Sequence, residues 1–293
     1  MPAGTEVSRP AVVVNPTKVR RTVQDRVGSI DERRWLATTP GDPGTGMAAA
    51  ALATGADLVL SYGGDGTHRA CAAALAGTGV PLALLPAGTG NLLARRLRVP
   101  RSLDGAQDLA MCGGRRAIDV CDADGQPFLV MAGLGFDAAV LARTRPGLKS
   151  RVGWVAYWLA ALQSVGRSPV LRVRLELDGG RQVTCRGVGV VVANIGTLPG
   201  GFPLLPQAAE DDGLLTVGLL TSDSLAHWAV LGGGSAARRT PSPERLPCWS
   251  TRQLRVSVDR PVPAQIDGEV VPARRDVEFS VRARALTVCV PEH

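Results

Sequence analysis

Apolar residues follow two different rhythms along the chain. In the first third, apolar runs at 11–15, 57–61 and 81–85 read as strands, with the more polar 34–39 a further candidate. Segments 47–53 and 67–76 between them read as helices. Strand ends fall 22 to 24 residues apart, the length of a compact βα unit. Continuous apolar strands alternating with helices call for a parallel sheet covered on both faces. Such sheets bind ligands beyond the carboxyl ends of their strands. Chemistry is therefore expected just after residues 15, 39, 61 and 85.

The rhythm changes after about residue 117. Strand-like runs at 128–132, 170–177, 182–185, 187–193, 214–220, 253–258, 265–266, 277–281 and 286–290 are short or alternating, with turn signals such as Asp178-Gly179-Gly180 between them. That pattern predicts an antiparallel sandwich or barrel. Helix-like stretches at 151–165 and 224–237 interrupt it. The expected organisation is α/β plus all-β, with domains at 1–117 and 118–293.

Composition narrows the class. The 293 residues are 45% hydrophobic and 20% charged, which excludes a disordered or fibrous chain. The net charge of +7 favours anionic partners, whether phosphate ligands, acidic membrane surfaces or nucleic acid. Only Lys18 and Lys149 are lysines among 33 basic residues, a bias that points to coding composition. No basic stripe carries interleaved aromatics, so no nucleic-acid partner is expected. Cys71, Cys112, Cys121, Cys185, Cys248 and Cys289 form no CxxC pair and read as scattered thiols. His68, His227 and His293 propose no metal cluster. No signal pattern opens the chain and no apolar run reaches a membrane-spanning length. The expectation is a cytoplasmic protein, peripheral at the inner face of the membrane.

The sharpest chemical feature is Gly63-Gly64-Asp65-Gly66-Thr67, between a strand and a helix. Glycines let backbone approach a phosphate, and a helix N-terminus adds partial positive charge. Thr67 suits an N-cap. Asp65 at the strand tip would face a phosphate-bound Mg²⁺ or a nucleophile. The plainer reading is a Gly-rich turn. Pro86-Ala87-Gly88-Thr89-Gly90-Asn91 repeats the geometry after the next strand, with Arg95 and Arg96 further on. Asn15-Pro16-Thr17-Lys18 follows the first strand. Three such loops on successive strand ends favour a phosphate cradle over unrelated turns.

Together these loops resemble the diacylglycerol kinase catalytic-domain family, which includes bacterial soluble lipid kinases and sphingosine kinases. The likeness continues through Gly133-Leu134-Gly135-Phe136-Asp137-Ala138, through Ala208 to Asp212-Gly213-Leu214-Leu215, and through Asp267-Gly268-Glu269. It implies a nucleotide-binding αβα domain, then a β-sandwich with a helical insertion. The active site would lie between them, and the last strand would return to the first domain. It implies ATP contacts at Asn15, Pro16, Thr17, Gly63, Gly64, Asp65, Gly66, Thr67, His68, Arg69, Gly88, Thr89 and Asn91. A threonine near the second strand end would join them; Thr38 and Thr39 both fit, and Thr39 is favoured. It implies Glu269 and Asp65 as catalytic groups, Glu269 accepting the proton of the substrate hydroxyl. Asp212, with carbonyls of Ala209 and Leu214, would hold Mg²⁺. Read without the family, Asp267-Gly268-Glu269 is equally a solvated hairpin tip, and the Asp212 segment an exposed acidic turn.

Some residues depart from the family's pattern. His68, Arg69 and Ala70 stand where it carries a small apolar residue, Asn and Glu. Leu92 replaces a common Asp. Asp119 matches either a supporting Asp or a structural one. Trp154, Tyr157, Trp158, Ala161, Leu162 and Val165 fall on one helical stripe that either packs on the sandwich or meets lipid. The function expected is ATP- and Mg²⁺-dependent phosphorylation of diacylglycerol or a related lipid at a membrane surface. The alternatives are a kinase with a soluble acceptor, as NAD kinases have, and a non-catalytic nucleotide or lipid sensor. A homodimer is compatible with the sequence.

Overall fold

In the computed structural model, which describes residues 7–19, 34–135, 169–198, 202–221 and 246–292, the strand candidates of the first third become one parallel sheet. It consists of β1 (Pro10–Val14), β2 (Trp35–Ala37), β3 (Leu58–Gly63) and β4 (Leu82–Pro86), ordered β2-β1-β3-β4. Every residue of β3 is buried, as a central parallel strand requires. Helix α1 (Thr45–Ala53) precedes β3, and α2 (Asp65–Leu75) follows it. Their alanines bring helix backbone close to the strands, and Ala48, Ala51, Ala70 and Ala72 are buried. Next come α3 (Leu92–Arg96) and α4 (Leu103–Cys112).

The chain divides into two units, Met1–Val120 with Ala283–His293, and Cys121–Arg282. Strand β5 (Gly114–Ala123) leads from the first to the second. The second unit continues with β6 (Gln126–Phe128), β7 (Met131–Gly135), β8 (Leu171–Leu177), β9 (Arg181–Gly187) and β10 (Gly189–Ala193). The two-residue strands β11 (Thr197–Leu198) and β12 (Phe202–Pro203) follow, then β13 (Leu215–Leu220) and β14 (Cys248–Thr251). Last come β15 (Gln253–Ile266) and β16 (Glu269–Val290). Pairing is antiparallel in the order β14-β13-β10-β7-β15-β16, with β8 and β9 added beside β15. The alternating burial of β8 turns Leu171, Val173, Leu175 and Leu177 inward, and Phe128 meets Phe279 edge-on with ring centroids 6.3 Å apart. The end of β16 belongs to the first unit, where Val288 pairs in parallel with Leu82 of β4.

Several elements differ from expectation. Helix α2 starts at Asp65 rather than residue 67, and its cap is Gly64, without a side-chain bond. Runs 253–258 and 265–266 are one strand, interrupted by irregularities between Ser257 and Ala264. Runs 277–281 and 286–290 belong to one 22-residue strand whose mixed exposure and arginines break the alternation. Run 128–132 is split between β6 and β7, while β5 and α4 have no counterpart in the apolar pattern. The motif at 136–138, both helix-like stretches and the aromatic stripe lie outside the described residues. Among the described residues no helix is long and apolar enough to cross a membrane.

Candidate active site

Three loops of the first unit are tied together by their own polar atoms. Asn15 follows β1 and accepts through Oδ1 from the Thr17 amide and hydroxyl at 3.0 and 2.8 Å. Its Nδ2 donates to Thr67 Oγ1 at 3.4 Å, joining the first loop to α2. Thr38 is buried and its amide donates to the Val14 carbonyl at 2.8 Å, so the second strand end lies beside the first. Thr39 is exposed, and its hydroxyl accepts from the Asp42 amide at 3.1 Å.

The two glycine loops touch directly. A Cβ on Gly88 would stand 2.7 Å from the Gly64 Cα and 2.8 Å from Asn91 Oδ1. A Cβ on Gly63 would strike Thr67 Oγ1 at 2.6 Å, so the close turn excludes a side chain there too. Asn91 closes the second loop on itself. It takes the Gly88 amide at 3.0 Å and donates to the Gly88 carbonyl at 2.6 Å. Its backbone is left-handed, φ 48°, a conformation that asparagine tolerates.

Asp65 clamps the pair. Oδ2 accepts from the Asn91 amide at 2.7 Å and Oδ1 from the Leu92 amide at 2.6 Å. The carboxylate expected to face a metal or nucleophile is thus turned onto the neighbouring loop. Burial raises its pKa, against the opposing pull of the Leu92, Asn91 and own-backbone amides and of Arg95. Thr67, expected as the cap, is the third helical residue and is buried. His68 also turns inward: it is 1% exposed, with Nδ1 2.9 Å from Ser61 Oγ and Nε2 unpartnered. Burial holds its pKa down at about 4, so the ring is neutral at ordinary pH. Such a ring is a packing element behind the loop rather than a nucleotide contact. Thr89 is exposed, Gly66 and Arg69 half-buried, and Pro16 exposed.

In the second unit, Asp267 and Gly268 have φ of 46° and 81° and form the two-residue turn between β15 and β16. Successive positive φ values suit the tight hairpin turns that match strand twist. The tip is firmly held rather than merely solvated. Asp267 accepts the amides of Leu129, Val130 and Met131 at 3.0, 2.9 and 3.0 Å, and its own amide donates to the Met131 carbonyl. Gly268 donates to Gln265 Oε1 at 2.8 Å. Glu269 is thereby fixed as the exposed first residue of β16. Asp212 is exposed and accepts the Leu214 amide at 2.9 Å, bending its loop toward the Gly213 turn. Among the described residues no three His, Cys, Asp or Glu side chains gather as metal ligands. The expected donors are one carboxylate and backbone carbonyls of Ala209 and Leu214, all hard oxygens of the kind Mg²⁺ accepts alongside water.

The family model described as diacylglycerol kinase catalytic domain matches residues 11–123, and that of a YegS C-terminal NAD kinase beta sandwich-like domain matches residues 130–290. A probable lipid kinase YegS-like of Pseudomonas aeruginosa is 35% identical over 250 residues, 82% of this chain and 79% of its own. The chain belongs to the diacylglycerol kinase catalytic-domain family. A diacylglycerol kinase of Mycobacterium tuberculosis is 34% identical over 188 residues, 61% of this chain and 59% of its own. An uncharacterized protein of Synechocystis is 26% identical over 81% of this chain, which spans about half of that relative's length (55%). A solved diacylglycerol kinase from Bacillus anthracis shares the fold at a TM-score of 0.70 and 22% identity, covering 98% of both chains. An NAD kinase from Archaeoglobus fulgidus, solved with ATP, shares it at a TM-score of 0.50 and 15% identity, covering 97% of this chain and 94% of its own. The αβα-plus-sandwich class is therefore that of the lipid kinase family.

Three polar residues of this family member escape the motif reading in their actual roles. Asn91 is a loop lock, and an Asn after two glycines is the available signal for its left-handed turn. Asp267 anchors three amides, where the motif shows only an Asp-Gly turn. Asp119 is fully buried and accepts the Arg284 amide at 2.7 Å. It fastens β16 as that strand enters the first unit.

Proposed function

We propose that this protein is an ATP- and Mg²⁺-dependent lipid kinase that phosphorylates a hydroxyl of diacylglycerol or a related lipid at a membrane surface. The observation that carries the reading is the bare-backbone contact of Gly64 with Gly88, clamped by Asp65. Side-chain-free backbone at a strand end and a helix N-terminus is what a polyphosphate requires. Relatives named lipid kinase and diacylglycerol kinase support a lipid acceptor.

In this account Asn15, Thr17, Thr39, Thr89 and the amides of the two glycine loops hold the triphosphate. Asp65 is a positioning residue: through the Asn91 and Leu92 amides it fixes the second glycine loop against the start of α2. Asp212, with the carbonyls of Ala209 and Leu214, would hold Mg²⁺. When bound, the ion offsets negative charge on the phosphates. Glu269 takes the proton from the acceptor hydroxyl as its oxygen attacks the γ-phosphorus and the bond to ADP breaks. Positioning and electrostatics account for most of the catalysis in such phosphoryl transfers.

The test is label transfer from γ-labelled ATP in parallel reactions with dispersed diacylglycerol, a total lipid extract and NAD. Labelled lipid is expected, with loss of at least about a hundredfold in kcat for Glu269→Gln. Labelled NAD alone, or nucleotide binding without turnover on any acceptor, would overturn the proposal. Full lipid phosphorylation by Glu269→Gln would remove Glu269 from its role.

A further inference from the structure

On the outer face of the second unit the charges divide along β8, with Glu176 at one end and Arg172 and Arg174 toward the other. Toward β16 they are balanced: Arg255 pairs with Glu278 at 3.1 Å and stands opposite Glu176. Toward the hairpin edge they are not. Arg172 of β8 lies directly opposite Arg186 of β9, and Arg174, two residues along the same face, lies opposite Thr184. All three arginines are exposed. No carboxylate among the described residues pairs with them, and the neighbour of Arg174 on β15 is the neutral Ser257. Like charges placed directly across an antiparallel pair destabilise it. A hydrophobic residue sits in line with them: Val170, just before β8, is 49% exposed. Arg260 donates to the Val170 carbonyl at 3.1 Å, adding a fourth cation at that end. Among the described residues β9 pairs only with β8, so the hairpin is an edge.

We propose that this hairpin face, Arg172, Arg174 and Arg186 with Val170 beside them, is a docking surface for an anionic phospholipid bilayer. The proposal deepens the lipid-kinase reading and rests on it for the choice of a bilayer over other polyanions. Three guanidinium groups without a carboxylate partner complement a sheet of headgroup phosphates, each able to take one bidentately. The exposed valine supplies an apolar contact at the headgroup level. Single-stranded nucleic acid, by contrast, needs aromatic side chains for base stacking, and β8 and β9 contain none.

The experiment is co-sedimentation of the full chain with vesicles of phosphatidylcholine alone and of phosphatidylcholine doped with phosphatidylglycerol. Each basic residue near an anionic surface contributes about fivefold to partitioning. The R172Q/R174Q/R186Q variant should therefore bind doped vesicles about a hundredfold more weakly. R172K/R174K/R186K should stay within about tenfold of the native chain, and salt should release both. If the triple glutamine variant fails to fold by circular dichroism, Arg186→Gln alone should show the roughly fivefold loss. Unchanged binding by the glutamine variants, equal binding to undoped vesicles, or preference for a duplex oligonucleotide at equal phosphate would overturn the proposal. Phosphorylation of a short-chain, monomerically dissolved diacylglycerol separates this from the kinase reading. Native turnover there with vesicle binding lost in the variant supports docking. No turnover by either protein, with native vesicle binding intact, sinks the kinase reading and leaves docking standing.

Discussion

Replacing Asp65 by Asn keeps the shape of the clamp and removes its charge. Asp65 offers one oxygen to the Asn91 amide at 2.7 Å and the other to the Leu92 amide at 2.6 Å. Asparagine can serve one of these and must face the other with an NH₂ group. A hydrogen bond to a charged acceptor contributes about 1.5–3 kcal/mol, so one bond of that size is lost. The opposing effect is desolvation. Burial raises the pKa of Asp65, which means the ionised carboxylate is held at a net electrostatic cost. An acid with a raised folded pKa weakens the fold as pH rises through that value, so at neutral pH removing the charge returns part of the loss. The two effects oppose each other, so global stability should fall by less than that one bond, by no more than about 1–2 kcal/mol. The loops respond differently, because the Gly88–Asn91 turn loses an anchor to α2. Misplacement of a binding loop by about 1 Å costs on the order of a hundredfold in rate. Asp65→Asn should therefore lower kcat/KM for ATP by about a hundredfold while the denaturation midpoint barely moves. Calorimetric titration with ADP in EDTA separates positioning from metal binding: affinity should fall there too. Full ADP affinity in EDTA, together with lost turnover, would refute the clamp and return Asp65 to the metal or the chemistry.

Two other sites give independent outcomes. His68 has a folded pKa of about 4 against an ordinary value of 6.5, so the unfolded chain takes up its proton first. Stability should be full above pH 6.5 and fall by about 3 kcal/mol as pH drops to 4, and His68→Leu should flatten that part of a urea-denaturation pH series. Asp267→Ala removes the acceptor for the amides of Leu129, Val130 and Met131 and should cost about 3–5 kcal/mol by urea denaturation. Asp267→Asn tolerates the left-handed turn and should recover about half of that cost. Equal losses in the two variants would show that the charged carboxylate alone, and neither the turn conformation nor a neutral acceptor, is what matters.

The parallel sheet was legible because β1, β3 and β4 are buried on both faces and read as apolar runs, as in Leu58–Gly63, whereas β2 is a partly exposed edge. The glycine loops were legible because close backbone approach leaves few residues to choose from, and Gly63, Gly64 and Gly88 all prove to be points where a Cβ meets a close neighbour. What sequence concealed was direction. Asp65 and His68 sit in the most recognisable segment of the chain, yet one turns sideways onto the next loop and the other inward onto Ser61. Spacing along a helix start does not determine which of several donors a carboxylate meets. The long strand Glu269–Val290 reads as two pieces because Arg274, Arg275, Arg282 and Arg284 break its alternation, and because it leaves one unit for the other at Ala283. The antiparallel class itself survives that error, since the inward residues of β8 and β10 alternate or run unbroken as the core demands.

The claim that the first unit carries a nucleotide cradle built from touching glycine loops is tested most directly by calorimetric titration of ATP into the native chain and into Gly88→Val. The substituted Cβ would press on the Gly64 Cα at 2.7 Å and on Asn91 Oδ1 at 2.8 Å, forcing the loops apart. The account predicts micromolar-to-millimolar ATP binding by the native chain and a loss of at least about tenfold in the variant, with the circular dichroism spectrum retained. Equal ATP affinity in the two proteins would contradict it.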